Sequence, residues 1–412
     1  MRVWHRFSTT IGPQVAHNLL VDAGAAGLFA IFQALTGPFI GIVAVQRGAT
    51  AWQIGMLSAA PFAAMLLSGW YARWAEGSRR VSVVVWSTAL ARICILLVAW
   101  SHGLNLYILG FSAYSLLTAA SNPAYTAVER AIYHRQWRGQ LMSAVKVVLG
   151  LSQFAATLVA GGLLDHYGPG PVFTLAIGFG LASSLVFSRI REPAAPAPRP
   201  LPRGRRGRSA ARSDPRLTRL LWAVTLAGGG NLLIQPGLPI YQVTRLHLDA
   251  VFVAWITAAW SLAFMAAYPL WGRVCDHRRP ATAIAVAFAC YLVPPLCYLV
   301  HGGLPLLLFA GAVQGFGDAA LDVGWQNHVM RLTDEGVGGY AGLYFTYMGM
   351  RGTVAPLLGG AIIASSGLSP LFALSMVLVA CGLWVARRLP DAPLTSGEGA
   401  GQHRGADVAI GV

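Results

Sequence analysis

The sequence predicts an all-α membrane protein of twelve spanning helices in two pseudo-symmetric six-helix bundles, and three observations carry that prediction. The 412 residues have a mean hydropathy of +0.57, with 56% hydrophobic and only 11% charged residues, whereas an average soluble domain is about 25% charged. Twelve apolar runs are each long enough to cross a hydrocarbon layer of about 30 Å, which takes roughly 17 to 25 helical residues. A single offset also relates the second half of the chain to the first.

In the first half the runs cover residues 18–43, 53–72, 83–100, 106–128, 141–163 and 171–188. The second half supplies 220–241, 253–271, 281–300, 304–327, 340–363 and 369–386. The first run is too long for the apolar core of a cleavable signal, and DAGAAG near its start is followed by more apolar sequence. Four segments are expected: a bundle over 1–190, an Arg/Pro-rich linker over 191–219, a second bundle over 220–389 and a disordered tail over 390–412. The central stretch RIREPAAPAPRPLPRGRRGRSAARSDPRLTR holds ten arginines and no apolar periodicity, so it reads as a linker at anionic headgroups. The tail DAPLTSGEGAGQHRGADVAIGV has too little apolar surface to pack.

Charge placement orients the spans. Of 30 basic residues, Arg92, Lys146 and Arg351 fall within runs, Arg47 and Arg245 lie in loops on one side, and the remaining 25 lie on the other. That bias puts both termini and the linker in the cytoplasm, with the chain in the inner membrane. The net charge of +15 is therefore accounted for by membrane topology, and no nucleic-acid partner is expected. Five cysteines, mostly within apolar runs, suggest no disulfide framework. Cys290 and Cys297, seven apart on one face of the ninth run, read as core-filling thiols, and neither metal nor cofactor is expected.

An offset of 198 lays FQALTGPFIGIVAVQRG on GNLLIQPGLPIYQVTRL, matching Pro38 with Pro236, Arg47 with Arg245 and Gln33 with Asn231. It also puts Gly161 and Gly162 on Gly359 and Gly360. After the eighth run comes GRVCDHRRP, in which Gly272, Asp276 and Arg279 match the Gly-x-x-x-Asp-(Arg/Lys)-x-x-Arg signature of the major facilitator superfamily, with His277 in the basic slot. The first-half counterpart, GWYARWAEGSRR, keeps Gly69, Gly77, Arg79 and Arg80, with Arg73 and Glu76 standing near the missing acidic position. SNPAYTAVERAIYHRQWRGQLMSAVKVVLG and VAPLLGGAI are likewise similar to fourth-to-fifth and eleventh helices of bacterial members. The chain thus resembles this superfamily over nearly all of residues 15–388.

The resemblance implies a secondary transporter working by alternating access, with a midplane substrate site between parallel six-helix repeats. It also implies a conformational latch at Gly272, Asp276, Arg279, Gly69, Arg79 and Arg80: glycine allows close helix approach, the carboxylate bonds an exposed helix end, and arginines hold the loop at the anionic leaflet. The sugar-porter motif after the sixth run and the antiporter Gly-Pro-x-x-Gly-Gly motif of the fifth are absent, although APLLGG stands in the eleventh.

GFGDAALDVGWQNH places Asp318 and Asp322 four residues apart in an apolar stretch. That spacing is about 6 Å of helical rise and nearly one turn, so the carboxylates share a face. A charge facing lipid near the midplane costs about 2.5 to 3.5 kcal/mol on insertion scales, so this face should look into the cavity or at a cation. Lys146 is the only lysine, and Asp22, Glu129, Arg130 and His328 are expected at a similar depth, either as a static ion-pair network or as coupling groups. Arg351 in mid-helix demands a partner, an anionic substrate or Asp318. Asp318, Asp322, Lys146, Asp22, Glu129 and Arg351 are thus the candidates for proton coupling and gating. Gln33, Asn122, Asn231, Gln235 and Gln314 fall on runs 1, 4, 7 and 10, which line the cavity in the superfamily. With Trp260 they are the substrate candidates, each weighed against plain helix-to-helix bonding or packing. Arg92 is expected to bond carbonyls or a carboxylate within its own half.

The function expected is proton-coupled movement, preferably export, of a small organic solute by a monomer in the lipid bilayer. The alternative is a transporter-like receptor or scaffold without flux. No nucleophile, base and orienter grouping suggests an enzyme.

Overall fold

The computed structural model describes residues 12–67, 70–71, 80–133, 137–192, 213–277, 279–332 and 337–389. Among them every regular element is helical. The first half supplies α1 (Pro13–Gln46, crossed by a 3-10 turn at Gly37–Phe39), α2 (Ala51–Leu66), α3 (Arg80–Trp100), α4 (Leu104–Ile132), α5 (Arg138–Tyr167) and α6 (Pro169–Phe187). The second supplies α7 (Pro215–Thr244), α8 (Ala250–His277), α9 (Pro280–Leu299), α10 (Leu304–Leu332), α11 (Val337–Ser366) and α12 (Leu368–Ala386). Ten of these are long and apolar enough to span a bilayer, α2 is a shorter apolar helix, and α11 completes the twelve. Twelve crossings leave both described chain ends at one end of the molecule, here the terminal end, opposite the far end.

The repeat seen in sequence has a structural counterpart. Pro38 sits in the 3-10 turn of α1, and Pro236 lies where α7 breaks between Leu233 and Gly237. Each proline removes an amide donor and interrupts the ladder. Arg47 and Arg245 then cap the C-termini of these helices. Beyond them the register changes to 199, because the loop 245–250 is one residue longer than 47–51, and His247 enters the left-handed region at φ 48°. At 199 the related pairs are Ala51 with Ala250, Gly161 with Gly360, and Gly168 with Gly367, the last two at φ 76° and 86°.

Several boundaries differ from the sequence reading. α7 begins at Pro215, inside the stretch assigned to the linker, because Asp214 accepts the Arg216 backbone N–H at 2.8 Å and Pro215 fits the first helical turn. The segment expected as a loop after α8 is helical through His277, and Arg331 of α10 donates to the Cys275 carbonyl at 2.6 Å. α4, α5, α10 and α11 all run past their apolar stretches at the terminal end, since hydropathy marks the hydrocarbon-facing part and not the polar turns beyond it. Cys290 and Cys297 fall on either side of a break in α9 at Tyr291–Leu292, so they do not share one continuous face.

Each bundle has its own core, but one hydrophobic cluster crosses between them: Phe39, Ile54 and Ala160 of the first half pack with Ala250, Val253 and Ala254 of α8. Backbone approach at the far end depends on glycine. A Cβ on Gly161 would lie 2.6 Å from the Ala250 carbonyl oxygen, one on Gly360 2.6 Å from that of Ala51, and one on Gly41 3.0 Å from Pro239. The far end is therefore closed.

Candidate functional site

The quoted stretch GFGD builds the centre of the site. Gly315 lies against the Trp260 backbone of α8, and a Cβ on Gly317 would come within 2.8 Å of the Cys290 Cβ of α9, so α10 meets both neighbours closely. That approach brings Asp318, the middle residue of α10, to the Trp260 indole N–H at 2.7 Å and the Tyr291 hydroxyl at 2.6 Å. Both carboxylate oxygens accept a hydrogen bond, and Asp318 forms no ion pair with any described residue. One turn on, Asp322 accepts from Tyr268 at 2.7 Å and Gln326 at 3.3 Å. One turn back, Gln314 donates to Asn231 at 3.1 Å.

Asp318 faces a cavity of 480 Å³ between the bundles, lined also by Ser58, Phe111, Gln235, Trp260 and Gln314. Gly37, Ile40, Pro61 and Phe111 are shared with a second chamber of 320 Å³, which Gln33, Asn122, Thr118 and Tyr114 also line. A third space of 250 Å³, within the first bundle, shares Phe29, Thr118 and Asn122 with the second and holds Asp22, Arg92 and Lys146. Of the expected substrate residues, Gln235, Gln314 and Trp260 line the first chamber and Gln33 and Asn122 the second, while Asn231 is buried behind Gln314.

The expected charge network is divided. Asp22 is satisfied by the hydroxyls of Tyr125 at 3.1 Å and Tyr133 at 2.7 Å, and Lys146 lines the same space without pairing with it. Glu129 is buried in α4, and His328 in α10. Arg351 meets neither Asp318 nor the chambers: it donates to the Val224 carbonyl of α7, in a recess left by Gly228. Arg92 bonds the Gly180 carbonyl at 2.5 Å and the Ser184 hydroxyl, as expected for a charge resolved within its own half.

The latch residues fall differently. Gly69 and Arg79 lie outside the described residues, Arg80 opens α3, and Arg279 precedes α9. Gly272 and Asp276 stand in the last turns of α8. Nothing described comes within 4 Å of a Cβ on Gly272, so close approach of a described neighbour does not explain that glycine.

One cross-bundle group escapes the sequence reading. Asp165, near the far end of α5, accepts the backbone N–H groups of Ala250 at 2.9 Å and Val251 at 3.0 Å, capping α8 from the other bundle. The corresponding helix of the first half, α2, is capped by its own Thr50 and Gln53.

Two six-helix bundles closed at one end around a midplane cavity define a membrane transporter fold. The superfamily profile matches residues 23–254 and 220–409, and the chain belongs to the major facilitator superfamily. It is 26% identical over 148 residues to Rv1250, an uncharacterized MFS-type transporter of Mycobacterium tuberculosis; the match spans 36% of this chain and 26% of that protein. Among solved structures it superposes on a bacterial homolog of the human lysosomal transporter Spinster, in an inward-facing, unoccupied conformation, with TM-score 0.66 and 13% identity over 92% of this chain and 95% of that one. The nucleoside transporter NupG gives TM-score 0.72 and 10% identity over 90% and 98%.

Proposed function

We propose that the protein is a secondary transporter of the cytoplasmic membrane that moves a small organic solute by alternating access, coupled to protons at Asp318. The observation that carries this reading is that Asp318 is the one Asp, Glu, Lys, Arg or His among the described residues lining the first two chambers. A carboxylate there, hydrogen-bonded but not ion-paired, can change charge as the cavity exchanges between the two sides. Lys146 and Asp22, which line one space without forming an ion pair, are the gating groups of the first bundle, and Asp322, nearer the terminal end, is a relay toward bulk water. Glu129 and Arg351 hold their helices.

With the 25 basic residues cytoplasmic, both termini and the linker lie inside, and the closed far end faces outward. The two bundles rock as units about the chambers, and the monomer suffices because the site lies within one chain. The likeness of Ala355–Gly360 in α11 to the antiporter motif favours export.

The test is flux in proteoliposomes under an imposed pH gradient, with a metabolite extract as the source of solutes. Gradient-dependent accumulation of a defined solute supports the reading. Failure of any solute to move, in gradient or counterflow mode, would leave a receptor or scaffold.

A further inference from the structure

Among the described residues, the larger chamber carries charge of one sign. The 24 residues lining the larger chamber include Asp318 and no Lys, Arg or His, and the 14 lining the smaller include no ionised side chain. The nearby cations are committed elsewhere. Arg351 is turned to the Val224 carbonyl, Arg92 to Gly180 and Ser184, and Lys146 lies in the third space, which adjoins the smaller chamber at Phe29, Thr118 and Asn122 but shares no lining residue with the larger. An anionic solute entering the larger chamber would meet a carboxylate and no compensating charge among its lining residues.

A neutral solute would also fit poorly. On filling the chamber it displaces water from Asp318, leaving a dehydrated carboxylate with two neutral donors and no counterion. A cation replaces that hydration and pairs with the charge in a low-dielectric setting, where the attraction is strongest. The remaining lining suits the body of such a molecule: Phe111, Trp260 and Tyr298 provide ring surface, and Gln235, Gln242 and Gln314 provide amides. Aromatic faces also attract organic cations directly. The volume of 480 Å³ lies within the range of roughly 300 to 1,000 Å³ typical of small-molecule sites.

We infer that the substrate is an organic monocation with an aromatic or apolar body, its charged group against Asp318 and its body reaching toward the chamber of Gln33 and Asn122. The inference rests on the transporter reading above and names the substrate class for it. Proton and substrate then bind the same carboxylate in alternation, so loading one releases the other.

Three probes of nearly one shape and different charge test this: benzyltrimethylammonium, benzyl methyl sulfone and benzylsulfonate. Binding to the purified full-length protein in nanodiscs is measured by equilibrium dialysis. The cation should bind at least tenfold more tightly than the sulfone, and the sulfonate most weakly. Asp318→Asn should abolish the cation's advantage while binding the sulfone at least as tightly as the parent does, which also reports that the variant is folded, and Asp318→Glu should restore most of the cation's advantage. Equal binding of cation and sulfone, preference for the sulfonate, absence of saturable cation binding, or an undiminished cation preference in Asp318→Asn would each overturn the inference. Counterflow of metabolite-extract solutes in the same preparation separates the two proposals: saturable cation binding without any solute flux upholds the cation site and overturns transport. Flux of neutral or anionic solutes that the cation cannot inhibit does the reverse.

Discussion

The indole N–H of Trp260 donates to the Asp318 carboxylate at 2.7 Å, joining α8 to α10 at the cavity wall. The bond ties the site's charge to the helix that Asp165 caps from the other bundle, so the cavity and the far-end closure share one rigid element.

Asp318→Asn mimics the protonated carboxylate and can still accept from Trp260 or Tyr291. The variant is expected to retain counterflow while losing gradient-driven accumulation at least tenfold. Asp322→Asn, whose partners are Tyr268 and exposed Gln326, should lose less than threefold. Paired gradient and counterflow assays check both, and full accumulation in Asp318→Asn would place coupling elsewhere.

Removing the cross-bundle cap should favour opening of the far end. Asp165→Ala leaves two amide groups of α8 without their acceptor, and loss of an N-terminal cap costs about 0.5 to 2 kcal/mol. In a variant lacking the five native cysteines, a cysteine at Leu238 of the cavity wall should react several-fold faster with an impermeant reagent applied from the far side. An unchanged rate would show that the cap does not contribute to closure.

Gly228 makes room for the Arg351 guanidinium, and a Cβ there would overlap it. Gly228→Ala should destabilise the protein by about 1 to 3 kcal/mol, the usual range for overpacking a core. Adding Arg351→Met, which yields space, should recover most of that loss in denaturant unfolding.

Asp214 lies outside the spans at the start of α7. Burial pushes its carboxyl up, but hydrogen bonds from Arg216 and from the Tyr340 hydroxyl at 3.1 Å outweigh it and hold the group below its ordinary value. A depressed acid contributes stability above its unfolded value, about 3.9, and that contribution disappears as pH falls through the lower folded value. Thermal midpoints should therefore drop more steeply below about pH 4 in the parent than in Asp214→Asn.

Topology is open to direct labelling. A cysteine beside Arg203 should react only with reagents that enter the cytoplasm, and one beside Arg47 should react from outside. The reversed pattern would overturn the orientation.

The apolar runs showed the helices because lipid requires continuous hydrophobicity, and Pro38 and Pro236 showed the repeat because a missing amide donor breaks a helix wherever it falls. Asp318 was conspicuous for the same reason: charge is costly in an apolar run. Its donors were not, since Trp260 and Tyr291 are 58 and 27 residues away and aromatic residues are common in such helices. Arg351 announced a need for a partner without naming one, and a backbone carbonyl leaves no trace in sequence. Asp165 stands just past the fifth run, and nothing local marks it, because its role depends on a helix start 85 residues later.

The two seams of the far end are held differently. α2 carries its cap in Thr50 and Gln53, and its contact with α11 extends from Gly360 beside Ala51 to Gly349 beside Leu66. α8 borrows its cap from α5. When the bundles part, α2 keeps every terminal hydrogen bond, whereas α8 must give two amides to water. One edge of the molecule would therefore serve as a hinge and the other as a clasp, and the mouth would open as a wedge.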